Sequence, residues 1–219
     1  MKEKLMATKP RRIVILGPPA GGKGTHAKRL AADLGVPHIA IGDMLRLEVA
    51  EGTSLGHAAK GRMDAGELVP DELVEEMVLS RLGRPDAARG WILDGFPRDR
   101  EQAEALEREG AGSRVELALA LEVSLHEIVE RIGGRRMCRS GHVYHVVTNP
   151  PRTPGVCDVD GEPLFQREDD SEEVVRHRFE VFERNTKPLL EFYDGRGVLA
   201  TVDGSGTLEE AYARLRATL

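Results

Sequence analysis

The run Gly17-Pro18-Pro19-Ala20-Gly21-Gly22-Lys23-Gly24-Thr25 has the residue types of a polyphosphate site. Glycines let consecutive main-chain N–H groups converge on phosphate oxygens, and the first turn of a following helix adds its unpaired donors. Lys23 then reaches the terminal phosphates. The usual spacing holds at Gly17, Gly22 and Lys23, with Gly24 where Ser or Thr ordinarily stands and the hydroxyl one place later at Thr25. Glycines alone would suit any tight connection. A lysine in register, after a strand and before a helix, favours a nucleotide phosphate site.

Phosphoryl transfer needs alignment and charge neutralisation more than a nucleophilic side chain. Arg46, Arg98, Arg131, Arg135, Arg136, Arg167 and Arg178 are candidates to supply the charge, because a guanidinium makes two oriented, charge-assisted contacts to a phosphate. Each one alone would pass for a solvated surface group, but together they stand at the ends of expected elements. Asp43 and Asp94 are candidates to hold magnesium-bound water around the phosphates, and Asp94 alternatively to order the glycine loop. Thr25 stays close enough to meet a terminal phosphate or the magnesium shell.

These groups need a frame. Ile13-Val14-Ile15-Leu16 reads as a buried strand, and Ala27, Leu30, Ala31 and Leu34 share one face of a helix over 23–34. His38–Ile41 reads as a short extended segment, followed by a helix carrying Met44, Leu45 and Val49. Thr53 caps a further helix, and Asp71 reads as the N-cap of another that lines up Val74, Met77, Val78 and Leu82. Trp91-Ile92-Leu93 is a second buried strand. Asp94 ends it, where open α/β sheets bind ligands. Val115–Leu121 is a third strand, and Ser124 starts a helix. From Met137 to Asp170 glycines, prolines and short polar pieces predict a small β insertion, clearest at Val143–Val147. A long helix from Glu172, a strand at Val198–Val202 and a helix over 208–219 close the chain. Alternating apolar strands and helices predict a parallel sheet covered on both faces.

The 219 residues suffice for one sizeable core with an insertion. With 31 basic against 37 acidic residues, net −6, the chain is expected not to bind nucleic acid. No apolar run approaches the roughly 20 residues of a membrane span, so a cytoplasmic protein without membrane contact is expected. Two cysteines do not make a disulfide framework, and Met1–Pro10 reads as a basic lead-in.

The glycine loop through Thr25, Gly42-Asp43-Met44-Leu45-Arg46, and Asp94-Gly95-Phe96-Pro97-Arg98 with Gln102 together resemble the adenylate kinase family, in its long-lid form. Gly134-Arg135-Arg136, Val143-Tyr144-His145, Asn149-Pro150-Pro151, Arg167-Glu168-Asp169-Asp170 and Arg178 extend the resemblance through the insertion. It implies an α/β, three-layer P-loop NTPase fold with a parallel sheet. Residues 11–40, 75–136 and 171–219 would form the core, 41–74 a helical segment binding the nucleoside monophosphate (NMP), and 137–170 a small β lid. The implied reaction is reversible transfer from ATP, with Mg2+, to AMP, giving two ADP, by a monomer.

The resemblance also implies roles. Gly17, Ala20, Gly21, Gly22, Lys23, Gly24 and Thr25 would hold the ATP phosphates. Arg131 would lie over the ATP base, with Gly206, Val143 and Tyr144 at the donor site, and Arg135 would touch its phosphates. Arg46 and Arg98 would hold the AMP phosphate, beside Gly95, and Gln102 would read the adenine, assisted by the backbone at Glu67, Leu68 and Val69. Arg167 and Arg178 would complete the clamp on closure. Ile41 is a departure, standing where the family usually has a threonine near the adenine. Losing that hydrogen bond would cost about 0.5–1.5 kcal/mol and relax the choice of monophosphate. A nucleoside monophosphate kinase of broader acceptor range and a non-catalytic nucleotide sensor are the alternatives.

Within the insertion, Cys138 and His142 are separated by three residues, Cys157 and Asp160 by two, and fourteen residues lie between the pairs. Thiolates, imidazole and carboxylate are competent ligands for a structural Zn2+. Many lids of the family resemble such a module, but with a second cysteine in the first pair. Here His142 substitutes, with His145 as the other nitrogen donor, and a metal-free lid held by polar contacts is the alternative.

Overall fold

The computed structural model describes residues 11–108, 112–167 and 170–219; the lead-in Met1–Pro10 and the motif residues Glu168 and Asp169 lie outside them. Five strands, β1 (Arg12–Leu16), β2 (His38–Ala40), β3 (Trp91–Asp94), β4 (Leu117–Glu122) and β7 (Leu199–Asp203), form one parallel sheet in the order β2-β3-β1-β4-β7. In β1, at the centre, Ile15 is in register with Asp94 of β3, and Leu16 with Ala120 of β4.

Alternation along β1 builds the three layers. Ile13 and Ile15 pack with Ala27 and Leu30 of α1 (Lys23–Leu34) and with Tyr212 and Leu215 of α9 (Leu208–Arg216). Val14 and Leu16 face the opposite layer, where α4 (Asp71–Leu82), α5 (Arg100–Arg108) and α8 (Leu189–Asp194) contribute Val78, Leu106 and Tyr193. Both faces are therefore dry, which explains the unbroken apolar runs of β1 and β4.

Two stretches leave this body. Between β2 and α4 the chain folds as α2 (Ile41–Glu51) and α3 (Ser54–Ala65), the latter capped by the Thr53 side chain accepting from the Gly56 amide. Beyond α6 (Leu125–Gly133), β5 (Arg135–Met137) and β6 (Val143–His145) pair antiparallel. Isolated bridges Met137–Phe165 and Val156–Pro163 complete the insertion. Its small core is Cys138, Tyr144, Cys157 and Leu164. Among the described residues no helix is long and apolar enough to cross a membrane.

Four expectations need correction. The strand expected over 143–147 stops at His145, whose Nδ1 accepts the Val147 and Thr148 amides at 3.1 Å each and turns the chain. The strand expected from Val115 begins at Leu117, because Glu116 is engaged by the Arg11 and Arg12 amides. The long helix from Glu172 is α7 (Glu172–Val181) followed by a π-helical turn, Phe182–Thr186, before Pro188 admits α8. Pro70, not Asp71, is the N-cap of α4, and the Asp71 carboxylate is bonded to Gln102 instead.

Candidate functional site

The loop between β1 and α1 is shaped by backbone that other residues resist. Gly17 has φ +145°, and a Cβ there would sit 2.8 Å from the Leu121 carbonyl oxygen. Ala20 at φ 55° and Gly22 at φ 89° take the left-handed turn that delivers the chain to the N-terminus of α1. Lys23, its first residue, donates from Nζ to the Pro18 carbonyl at 2.7 Å and so is folded back over the loop. Gly24 lies under Asp94, with 3.1 Å from a Cβ built there to Oδ2.

Charge gathers in front of this loop. Withdrawal from water lowers the Lys23 pKa to about 8, and Arg98, Arg178 and Arg135 push the same way, while Asp94 alone pulls back. Burial by itself would raise the Asp94 carboxyl, but contact with His38, 3.5 Å away, and the charges of Lys23 and Arg98 hold it below the usual carboxylate range. Burial, then the Arg46 charge, lowers the Arg98 pKa against the pull of Asp94. Three of these cations, Lys23, Arg98 and Arg178, line one cleft and make it a site for a strongly anionic ligand.

On the acceptor side, the cleft is walled by Gly66, Leu68, Gly95 and Arg98. Arg98 Nε donates to the Gly95 carbonyl at 2.9 Å. Arg46 is paired with Asp43 one helical turn away, so Asp43 faces that guanidinium. Arg178 packs so closely on Gly66 that a Cβ there would meet its Cγ at 2.8 Å, bringing α7 against the segment Glu67-Leu68-Val69. Val69 and Ile41 are buried in the apolar cluster of that layer. Gln102 is also buried, its carboxamide held between the Arg98 amide and Asp71.

On the donor side, Arg131 donates to the carbonyls of Gly204 at 2.9 Å and Gly206 at 3.4 Å. Arg135 makes a two-pronged pair with the buried Asp170. Arg167 is partly buried in the insertion. Tyr144 turns its ring into the insertion's core, its hydroxyl accepting the Asp158 amide at 2.8 Å, while Val143 stays exposed.

The four candidate metal ligands come together. Cys138 Sγ lies 3.3 Å from His142 Nδ1 and 3.3 Å from Asp160 Oδ2, His142 Nδ1 lies 3.0 Å from Asp160 Oδ2, and Cys157 Sγ lies 3.5 Å from His142 Nδ1. A tetrahedral zinc with bonds of about 2.0–2.3 Å needs ligand-to-ligand edges of roughly 3.3–3.8 Å. The donor set fits, and all four atoms lie within 4.8 Å of one another. His145 is elsewhere, its ring stacked over Gly134, where a Cβ would meet Nε2 at 2.3 Å.

The family model described as adenylate kinase matches residues 15–198. The chain belongs to the adenylate kinase family. Curated adenylate kinases resemble it along nearly their whole length. That of Streptomyces avermitilis is 48% identical over 207 residues, 93% of this chain and 94% of its own. That of Bacillus subtilis is 47% identical, covering 93% and 95%, and that of an Anaeromyxobacter strain 52% identical, covering 90% and 94%.

For an adenylate kinase, three of the contacts met at this site had no signal in the linear sequence. His38 comes within reach of Asp94 because β2 and β3 are neighbours in register Ala40 to Asp94. His177 donates from Nε2 to Glu67 at 2.7 Å, joining α7 to the chain after α3 across 110 residues. Asp71 meets Gln102 across 31. Such pairs follow from topology, and no local spacing announces them.

Proposed function

We propose that this adenylate kinase moves the terminal phosphoryl group of ATP reversibly to AMP, forming two ADP, with the cleft between the glycine loop and Arg98 as the place of transfer. One observation carries this assignment: Lys23, Arg98 and Arg178 line a single cleft together with Gly17 of the glycine loop and Gly95. Cations gathered in one cleft in this way suit a polyanionic ligand. Lys23 and the loop amides hold the donor phosphates, and Arg46 and Arg98 grip the acceptor phosphate. Arg135, Arg167 and Arg178 neutralise charge on the group in flight. Magnesium arrives with ATP as part of the substrate, and Asp94, Asp43 and Thr25 would hold its water shell. Arg131, now on the Gly206 carbonyl, turns to cover the donor base.

Residues 41–74 serve as the acceptor-binding segment and 137–170 as the lid. Their closure excludes water, which would otherwise compete as acceptor. The Cys138, His142, Cys157 and Asp160 cluster is compatible with zinc, and we take the ion to be structural, stabilising a lid whose own core is four residues. The enzyme is expected to work as a monomer in the cytoplasm, which light scattering and cell fractionation check.

A broader acceptor range is the second reading, favoured by Ile41, which is buried at the start of α2 and brings no hydroxyl to a base. Incubation of the protein and MgATP with AMP, CMP, UMP or GMP, following both diphosphates, separates the two. ADP formation confined to AMP supports the first assignment and comparable use of several supports the second. Preference for a pyrimidine, or no diphosphate from any pair, defeats adenylate transfer.

A further inference from the structure

Gln102 has only 2% of its surface exposed, and its carboxamide is fixed from both ends. Oε1 accepts the main-chain N–H of Arg98 at 2.8 Å, and Nε2 donates to Oδ1 of Asp71, the first residue of α4. A backbone N–H can only donate and an ionised carboxylate can only accept. Turning the amide over would therefore set N–H against N–H and oxygen against oxygen. The two partners thus decide which end of the amide is which, and among the described residues the group has no third partner.

A carboxamide has two N–H bonds and two lone pairs. Spending one of each on Asp71 and Arg98 leaves one N–H and one lone pair for a ligand. The Watson–Crick edge of adenine offers an acceptor at N1 beside an amino donor at C6, which pairs with that remainder. A 6-oxopurine offers N1–H beside a carbonyl oxygen and meets it donor to donor and acceptor to acceptor. Ile41 has no polar atom with which to help either base.

We propose that Asp71 is a specificity-determining residue for the acceptor base, a positioning residue that works through Gln102. It makes the stronger, charge-assisted bond of the two that orient the amide, and so admits a 6-aminopurine monophosphate and turns away a 6-oxopurine one. Arg98 supplies the second anchor through its backbone while its side chain grips phosphate. Base reading and phosphate holding are thereby joined in one residue. This inference rests on the assignment of AMP as acceptor and of Gln102 as its reader.

The test compares AMP with inosine 5′-monophosphate, which keeps the purine shape and reverses only N1 and the C6 substituent, at saturating MgATP. Asp71→Asn keeps size and removes the one-sidedness of the carboxylate, while Asp71→Leu removes the partner altogether. Both are checked for folding by thermal melting. In the parent, kcat/KM is expected to favour AMP by at least about a thousandfold. In Asp71→Asn that ratio is expected to fall about tenfold, through a higher KM for AMP, with kcat on AMP within about threefold of the parent. A purely structural role would depress both acceptors together and leave the ratio alone. A ratio within twofold of the parent's in whichever variants fold overturns the proposal, as does a parent that uses both monophosphates equally while still forming ADP. A parent inactive on AMP is a different failure, visible without any variant, and sinks the transferase assignment itself.

Discussion

The ammonium of Lys23 donates to the carbonyl of Pro18 at 2.7 Å, where withdrawal from water first, and then the charges of Arg98, Arg178 and Arg135, bring its pKa from 10.5 down to about 8. Below that pH the side chain is charged and ready for phosphate, and above it the charge is lost. Bound phosphate favours the protonated form, so the effect belongs to the free enzyme. We expect kcat/KM for ATP to fall above about pH 8 with a limiting slope of one proton, while kcat inflects at higher pH. Lys23→Met should lower turnover about 10²- to 10³-fold. A flat profile from pH 7 to 10 in steady-state assays would refute the assignment of Lys23.

Arg98 offers a clean separation of folding from chemistry. Its amide bonds Gln102 and its carbonyl accepts from Thr186 at 2.7 Å, and both groups survive replacement of the side chain by alanine. Arg98→Ala should therefore melt near the parent temperature while losing about 10²-fold or more in kcat/KM for AMP. Turnover comparable with the parent would count against its place on the acceptor phosphate.

Much of this molecule was legible in the order of its residues, for physical reasons that also mark where legibility ended. The helix expected over 23–34 forms as Lys23–Leu34, because a glycine loop, an apolar stripe and Gly35 at the C-cap all agree on its limits. Asp71 misled because Pro-Asp-Glu has the local chemistry of a cap, while its carboxylate is claimed by Gln102 from another helix. The π-helical turn at Phe182–Thr186 left no mark on the 3.6-residue pattern that runs through it. At the site, loop glycines and Lys23 were readable from spacing. The pairings of Asp94 with His38 and of Arg135 with Asp170 needed the sheet order and the insertion's return path.

The insertion makes a sharp distinction between its two histidines. His142 stands with both cysteines and Asp160, whereas His145 accepts two main-chain amides and covers Gly134. Protein folded with zinc present is expected to hold one ion per chain by elemental analysis, to lose it in His142→Ala, and to keep it in His145→Ala. Chelation should lower the melting temperature of the parent and leave that of His142→Ala unmoved. Metal-free parent protein, with stability indifferent to chelator, would establish a lid held by polar contacts alone.

His26 lies in the first turn of α1 with its ring stacked on Tyr212, centroids 6.1 Å apart and planes within 10°. Its Nδ1 is buried without a hydrogen-bond partner among the described residues. Burial first, then the charges of Arg131 and Arg29, lower its pKa from 6.5 to about 4. Between those values the unfolded chain binds a proton that the folded chain does not, so stability falls as pH drops from 6.5 towards 4. The loss attributable to this one group by pH 4.5 is about 2–3 kcal/mol. His26→Gln removes the titration, so urea unfolding at pH 7 and 4.5 should show a smaller pH-dependent loss in the variant by about that amount. Because His26 also underlies Gly22 of the phosphate loop, protonation would press a charge against the site that receives the donor nucleotide. The affinity for MgATP at pH 5 should accordingly be less sensitive to pH in His26→Gln than in the parent. Equal pH dependence of stability in the two proteins would mean that the imidazole is not held neutral by the fold.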